Sequence, residues 1–172
     1  MLRPVERVTK AALLARIHAE RSRFERVVAG VAPERLTEPV LPGGWSVKDV
    51  LAHVAWGERE AVGVLRHRAL AGSGLWDLPE DERNAAVVAE SRSRDVEDVR
   101  RDHRAAFRDY VTEIAALSDD DLNEPDRISG LAARIPGWRP WRVIYDPGHY
   151  DEHARAIEAA FGQLSGDQPP GQ

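Results

Sequence analysis

The sequence predicts an all-α protein, a four-helix bundle with long crossover connections, on three observations. Four segments of about 20 residues repeat apolar residues at steps of three and four, which is the period of an amphipathic helix. No segment alternates apolar and polar residues convincingly, as a half-buried strand does. The chain of 172 residues is long enough for one domain with a sizeable core. We expect this domain over residues 1–164, followed by a disordered tail over residues 165–172.

The first helix is predicted over residues 9–29. Its apolar residues recur on one face, and Gly30 and Pro33 follow as residues that end a helix. An extended, turn-rich segment, 39–44, then leads to the second helix. The apolar face of the first helix comprises Leu13, Ile17, Phe24, Val27, Val28 and Val31.

The second helix is predicted over residues 46–70. Ser46 and Asp49 have the spacing of a capping box, and Trp45 can fold back as a hydrophobic staple. His53 lies at the margin of the buried stripe, about a quarter-turn from its centre, and not on the exposed side. The stripe comprises Val47, Val50, Leu51, Val54, Ala61 and Leu65.

A short helix over residues 84–91 and a third long helix over residues 96–117 follow. The segment 123–140 is irregular because Gly130, Pro136 and Pro140 interrupt it, and a loop this long is often functional. The apolar stripe of the third helix comprises Val96, Val99, His103, Phe107, Tyr110, Ile114 and Leu117.

The fourth long helix is predicted over residues 146–163. Asp146 is a suitable N-cap, and Pro147 is tolerated in the first turn of a helix. An alternative start lies near Pro140, with a kink at Pro147.

A histidine pair opens this fourth helix. His149 and His153 are four residues apart, so they lie one turn above each other on the same face. Their neighbours Tyr150 and Glu152 are the candidate catalytic residues, because either is placed to orient an imidazole or to move a proton. The face continues as an apolar stripe, which predicts that both imidazoles point inward: Ala156, Ile157, Ala160, Phe161 and Leu164.

Two inward histidines are half of a metal site, and His53 of the second helix is the third candidate ligand. Three neutral imidazoles suit Zn²⁺, Ni²⁺ or Fe²⁺ and leave room for water. Water on such a zinc ion has its pKa lowered toward about 7, which supplies hydroxide at neutral pH. The metal could equally bind a substrate thiolate or polarise a carbonyl. The alternatives are a partly exposed His149–His153 pair and a boundary histidine at position 53.

The other histidines and the aromatic residues have competing interpretations. A core histidine with a satisfied hydrogen bond is favoured at His103 over a fourth ligand, and the two remaining histidines, at 18 and 67, are expected at the surface or boundary. Trp138, Trp141 and Tyr145 shortly precede the histidine pair, and they predict an aromatic wall that binds a cofactor or substrate. The alternative for the tryptophans is anchoring of core and loops.

The composition limits the classes of function. The formal net charge is −5 and no basic run is present, which argues against nucleic acid as a partner. No apolar run approaches the roughly 20 residues that span a bilayer, and the N-terminus lacks the apolar core of a signal peptide, so we expect a cytoplasmic protein without membrane attachment. The chain has no cysteine, so any thiol chemistry needs a thiol supplied as cofactor or substrate.

Two histidine motifs carry a family resemblance. Residues 44–56, GWSVKDVLAHVAW, resemble the helix-two signature of the DinB/YfiT-like superfamily. Residues 148–153, GHYDEH, fall where that superfamily keeps its second histidine motif. Asn84 with the helix that follows it, and residues 116–122, ALSDDDL, resemble the ClbS/DfsB branch in particular.

The resemblance implies a DinB/YfiT-like up-down four-helix bundle, often dimeric, in which His53, His149 and His153 bind a divalent metal, with zinc or nickel favoured. Characterised relatives are thiol-dependent transferases and isomerases, and hydrolases that inactivate toxic small molecules. We therefore expect a homodimeric metal-dependent enzyme that acts on a small electrophilic metabolite or toxin. We expect one of two reactions, hydrolysis by metal-bound water or thiol transfer. The resemblance to the ClbS-like branch slightly favours hydrolysis. The alternatives are a non-catalytic protein that sequesters a small molecule and a structural dimerisation module.

Overall fold

The computed structural model describes residues 6–70 and 72–166, and within these ranges the protein is all-α. There it contains no β-strand, and two isolated bridges join Leu41 to Trp45 and Ala69 to Ser129. The predicted fold class is confirmed. None of the described helices combines the length and the apolar character needed to cross a bilayer. Residues 167–172 of the predicted tail lie outside the described residues.

Long helices joined by shorter ones build the bundle. In chain order the α-helices of the described residues are α1 (Lys10–Ala29), α2 (Val47–His67), α3 (Glu80–Arg92), α4 (Val96–Ala115), α5 (Asp119–Asn123), α6 (Leu131–Arg134), α7 (Pro140–Ile144) and α8 (His149–Gly166). α2 packs along α4, and α1 packs along α8. α3 lies in the connection from α2 to α4, and α5, α6 and α7 lie in the connection from α4 to α8, so both connections are long crossovers, as predicted.

Side-chain contacts give the directions of the helices. In each packed pair, α2 with α4 and α1 with α8, the residue numbers of the contacts rise together, so the two helices run the same way. The bundle therefore runs up, down, down, up, which refines the predicted up-down arrangement. The contacts that show this are Lys48 with Arg94, Arg66 with Glu113, Arg23 with Asp151 and Arg35 with Phe161.

The start of α2 is fixed by the predicted capping box. Ser46 Oγ accepts from Asp49 N at 3.2 Å, and Asp49 Oδ2 accepts from Ser46 N at 2.9 Å. The other oxygen of Asp49 accepts from Ser91 Oγ at 2.8 Å, which ties α2 to α3. A cap of this kind contributes about 1 kcal/mol, and here it also sets the register of the helix that carries His53.

The start of α8 differs from the prediction. The helix begins at His149 and not at Asp146, because Gly148 has a φ of +89°, which an α-helical residue cannot adopt. Asp146 contributes its backbone carbonyl, which accepts from His149 N at 3.2 Å, and it is not the N-cap that the sequence predicted. The alternative prediction, a start near Pro140 with a kink at Pro147, is closer to the structure, because α7 begins at Pro140.

The core consists of two apolar clusters. One lies at the start of α1 and the ends of α2 and α4, and the other at the end of α1 and the starts of α2, α4 and α8. Between the clusters, α1, α2 and α4 each contribute one buried polar residue, Arg21, Glu58 and His103, which we call the polar layer. Arg21 donates to the Glu58 carboxylate and, through Nη2, to the His103 carbonyl at 3.3 Å. These bonds supply the partners that buried charges require.

Candidate metal centre

Three imidazoles from two helices converge beside the polar layer. His53 comes from the second turn of α2, and His149 and His153 come from the first two turns of α8. The ring centroid of His53 lies 5.2 Å from each of the other two, which are 4.6 Å apart. Each ring offers one ligand nitrogen, and these nitrogens lie within 4.8 Å of one another. Two nitrogens on opposite sides of one zinc ion are at most about 4.2 Å apart. Small movements of the side chains would therefore bring the three nitrogens within coordinating distance of one ion.

Burial keeps these imidazoles neutral. It lowers the pKa of His53 to about 4 and that of His153 to about 3, and the neighbouring imidazoles add to the effect. Burial also lowers the pKa of His149, which nearby carboxylates such as Asp146 partly oppose. A neutral imidazole is the form that binds a metal, because a protonated ring nitrogen has no free lone pair.

The imidazoles also lack protein partners. Among the described residues, none of the three rings makes a hydrogen bond, and His53 Nδ1 and His153 Nε2 are buried without a partner. Buried polar atoms are nearly always satisfied, so orphaned nitrogens need an explanation. A cation bound between the rings would provide it, so His53, His149 and His153 fit a divalent metal.

Aromatic rings hold the imidazoles in place. The Trp45 ring stacks on His153, with centroids 6.4 Å apart and planes at 17°, and it lies 5.3 Å from His53. The Trp56 ring contacts His53 from another direction, at 6.3 Å. Trp45 precedes the cap of α2, where the sequence predicted a hydrophobic staple, and the structure shows that it also packs against the histidines.

A cavity of about 240 Å³ opens beside His53 and His149. Its wall combines aromatic rings with charged groups from α2, α3 and α8. The residues that matter for its chemistry are Trp56, Trp76, Glu58, Arg83, Tyr145 and Tyr150. A cavity of this size, lined by both aromatic and polar side chains, suits a small molecule that carries polar groups.

The outer wall of the cavity is pinned by hydrogen bonds and ring contacts. Trp76 Nε1 donates to Glu60 Oε2 at 2.6 Å, so the ring is fixed to α2. The Arg83 guanidinium lies 4.9 Å from the Trp76 ring and 5.8 Å from the Trp56 ring. Arg83 Nε and Trp56 Nε1 are both buried without a hydrogen-bond partner. The wall thus presents two unused N–H donors and a positive charge.

The predicted aromatic wall is only partly at the cavity. Tyr145 lines it and donates its hydroxyl proton to Glu20 Oε1 at 2.5 Å. Trp141 is buried in the core instead, where its Nε1 donates to the Glu6 carbonyl at 3.0 Å, and Trp138 lies at the surface against Arg142. The short helix α7 directs Trp141 into the core, and Trp138 precedes it in a turn. Trp56 and Trp76 form the wall that the sequence assigned to these two.

The two predicted catalytic residues, Tyr150 and Glu152, lie in different environments. Tyr150 is buried on the cavity wall, and its hydroxyl donates to Glu58 Oε1 at 2.7 Å. Glu152 is exposed and does not line the cavity, because its position on α8 turns it away from the imidazoles. Sequence reasoning missed Glu58. The signal was present, since position 58 continues the apolar stripe through Val54 and Ala61, where a carboxylate is out of place.

The remaining histidines lie where the sequence placed them. His103 is buried in the polar layer, and its Nε2 lies 3.1 Å from Glu25 Oε1. His18 and His67 are exposed. The structure therefore brings together the three histidines proposed as ligands and keeps the other three apart from them.

Comparisons with known proteins give a family and a fold. Residues 17–145 match the family described as mycothiol maleylpyruvate isomerase N-terminal domain, so the match includes His53 and ends before His149. An uncharacterised protein from Escherichia coli UTI89 has a similar crystal structure, with a TM-score of 0.74 over 94% of this chain and 96% of that chain. The two sequences are 14% identical, so this likeness shows the fold alone. No curated protein matches the sequence.

Proposed function

The chain belongs to the mycothiol maleylpyruvate isomerase N-terminal domain family, within the DinB/YfiT-like superfamily, and on that premise we propose that it is a metal-dependent enzyme that uses a small thiol. The substrate in this proposal is a small electrophilic metabolite or toxin. The family name links the fold to a thiol, mycothiol. The family match does not confirm the ClbS/DfsB branch, so we place thiol transfer before hydrolysis by metal-bound water.

The observation that carries the proposal is the group of three neutral, unpartnered imidazoles at the side of a cavity. His53, His149 and His153 would hold a divalent cation, with zinc or nickel favoured by the nitrogen ligands. A bound cation supplies Lewis acidity, which lowers the pKa of a thiol or water and polarises a carbonyl. Because the chain has no cysteine, the thiol has to enter from solution.

The cavity wall supplies binding groups for the electrophile. Trp56 and Trp76 offer flat apolar surfaces that exclude water, and Trp56 Nε1 and Arg83 Nε offer N–H donors that have no protein acceptor. An oxygen atom of a carbonyl or carboxylate would satisfy these donors. The cavity volume of about 240 Å³ admits a small substrate next to the reactive arm of a thiol.

A non-catalytic binding protein is the second candidate, and the aromatic cavity wall favours it independently of the metal. Trp56 and Trp76, with the Arg83 guanidinium beside both rings, would hold a flat or anionic small molecule without any reaction. In that case the imidazoles would contribute only to the shape of the cavity. The homodimer that the resemblance implies and the cytoplasmic location that the composition favours remain predictions. Light scattering of the purified protein tests the homodimer.

Metal analysis tests the proposal. Protein purified without a histidine tag is expected to contain close to one equivalent of zinc or nickel, and His53→Ala is expected to lose it. The metal-loaded protein is then assayed for consumption of mycothiol with a chromogenic electrophile, with His67→Ala as the matched surface control. Absence of metal, together with unchanged ligand binding in His53→Ala, would favour the binding protein and overturn the enzyme.

A further inference from the structure

Glu58 is the group on the cavity wall that the proposed function does not yet use. Its side chain lies in the apolar stripe of α2 and is 5% exposed. One oxygen, Oε1, receives the Arg21 guanidinium and the Tyr150 hydroxyl. The other oxygen, Oε2, is buried and has no hydrogen-bond partner. The carboxylate is therefore anchored through one oxygen and unsatisfied at the other.

The place of Glu58 in the molecule connects it to the imidazoles. It lines the same cavity as His53 and His149, and it comes from the same helix as His53. The next position along the stripe, Ala61, also faces this cavity. The imidazoles and this carboxylate are thus side chains of one cavity, which a single small molecule would share.

A purely structural role explains the anchored oxygen but not the unsatisfied one. Arg21 already has other acceptors, because its Nε donates to Glu25 at 2.8 Å and its Nη2 donates to the His103 carbonyl at 3.3 Å. A buried acceptor without a partner destabilises the fold, and well-packed apolar residues often replace buried ion pairs without loss. Glu58 therefore carries a cost that its contact with Arg21 does not require.

The charges around Glu58 suit proton exchange near neutral pH. Burial raises the pKa of Glu58 to about 7, although Arg21 from α1 and the hydroxyl of Tyr150 from α8 oppose the shift. Glu25 adds a weaker contribution that raises the same pKa, and Tyr110 from α4 faces the carboxylate with a hydroxyl whose own pKa is raised by burial. A base with a pKa near the working pH is the most effective general base.

The geometry points to Glu58 as the catalytic proton acceptor of the cavity, an inference that rests on the proposed thiol chemistry. The S–H bond of the incoming thiol breaks, an O–H bond forms at Oε2, and the electron pair stays on sulfur. In an addition to a conjugated double bond, sulfur then forms a bond to one carbon, and the proton passes from Oε2 to the neighbouring carbon. The carboxylate is regenerated, so protons and electrons balance over the cycle.

Kinetics of Glu58→Gln against Glu25→Gln test this role. Both substitutions remove a carboxylate that contacts Arg21, but only Glu58 lines the cavity. We expect kcat of Glu58→Gln to fall about 100-fold or more with little change in KM. The wild-type rate should fall as the pH drops through about 7, because Glu58 becomes protonated, and this limb should be absent from the Glu58→Gln profile. Equal losses in both variants, with the limb retained, would overturn the inference.

The rate of thiolate formation gives a readout that does not depend on turnover. Mycothiol is mixed with the zinc-loaded protein at pH 8, where Glu58 is ionised, and the ultraviolet absorbance of the thiolate is followed by stopped flow. We expect the thiolate to form about tenfold or more slowly in Glu58→Gln than in the wild type, because the variant has no carboxylate to take the proton, whereas Glu25→Gln should match the wild type. The same rate in Glu58→Gln and the wild type would overturn the inference.

Two controls keep the result decisive. If Glu58→Gln unfolds, Glu58→Asp keeps a charge opposite Arg21 and withdraws the oxygen by one methylene. It should remain folded and form the thiolate more slowly than the wild type. The stopped-flow measurement is repeated on metal-free protein. Failure to bind zinc overturns the proposed function, and the inference is then judged on the metal-free protein, where equal rates of thiolate formation or no thiolate formation overturn it.

Discussion

Two buried histidine environments in this protein differ in their partners. His103 in the polar layer and the histidines of the candidate metal centre are all shielded from water, and burial lowers the pKa in each case. His103 has a carboxylate partner, Glu25, and serves to join α4 to α1. His53, His149 and His153 have only one another and aromatic rings. Neither burial nor an unsatisfied ring nitrogen, which His103 also has at Nδ1, distinguishes the two environments; the convergence of three imidazoles does.

Removal of one candidate ligand should produce the largest effect. We expect His149→Ala and His153→Ala each to abolish the thermal stabilisation by Zn²⁺ or Ni²⁺. At a metal concentration of 100 times Kd, this stabilisation is about 2.7 kcal/mol, or roughly 5–10 °C in Tm for a chain of this length. Thermal-shift measurements with and without the ion check it. The surface substitution His67→Ala should keep the full metal-dependent shift in Tm. If the shift survives in both His149→Ala and His153→Ala, these histidines do not bind the ion and the two histidine environments do not differ in this respect.

Substitution of the structural histidine should have the opposite pattern. We expect His103→Gln to lower the free energy of unfolding of the metal-free protein by about 1–3 kcal/mol, because it disturbs a buried hydrogen bond. The metal-dependent shift should stay at its wild-type size. Urea unfolding with and without Zn²⁺ measures both quantities. A loss of the metal shift in this variant would mean that the polar layer and the metal centre are not separate.

The partner of His103 predicts a smaller, pH-dependent effect. Burial tends to raise the pKa of Glu25, but the hydrogen bond with His103 and the charge of Arg21 outweigh it and lower this pKa to about 2. Because the folded value is below the ordinary value of 4.5, the ionised carboxylate stabilises the fold above that pH, and the contribution is lost as the pH falls toward 2.

Glu25→Gln should therefore be less stable than the wild type at pH 7, and the difference in Tm should shrink between pH 4.5 and 2. Thermal unfolding across that range provides the measurement. A difference that stays constant with pH would show that the ionised carboxylate does not support His103. Glu25 is partly exposed, so the effect should be the smallest of the three.

The sequence predicted the helical parts of the site well, because helix periodicity fixes which residues share a face. The spacing of His149 and His153, and the position of His53 near an apolar stripe, were sufficient to expect that they would converge. The start of α8 was less predictable, since Asp146 and Pro147 form a good start signal that the positive φ of Gly148 overrides. Start signals describe local preference, and tertiary packing decides between them.

The cavity wall was predicted less well, because segments between helices have no period that fixes where a side chain points. Trp138 and Trp141 are near the histidines in sequence, yet one is at the surface and the other in the core. Trp76 reaches the cavity through a hydrogen bond to Glu60 that no local pattern indicates. Glu58 is a different case, since a carboxylate in a buried stripe was visible in the sequence and only its partners were not.

Gly148 has a consequence for how the site could change over evolution. It has no side chain to offer a ligand, yet with its left-handed backbone it is the last residue of the break that begins at the extended Tyr145, directly before α8 starts at His149. If α7 and α8 formed one continuous helix, each residue inserted or removed between them would rotate both α8 imidazoles by 100° around the helix axis. The backbone of this short break thus governs where the two α8 imidazoles point, and a substitution there can disrupt the candidate site without changing any of its histidines.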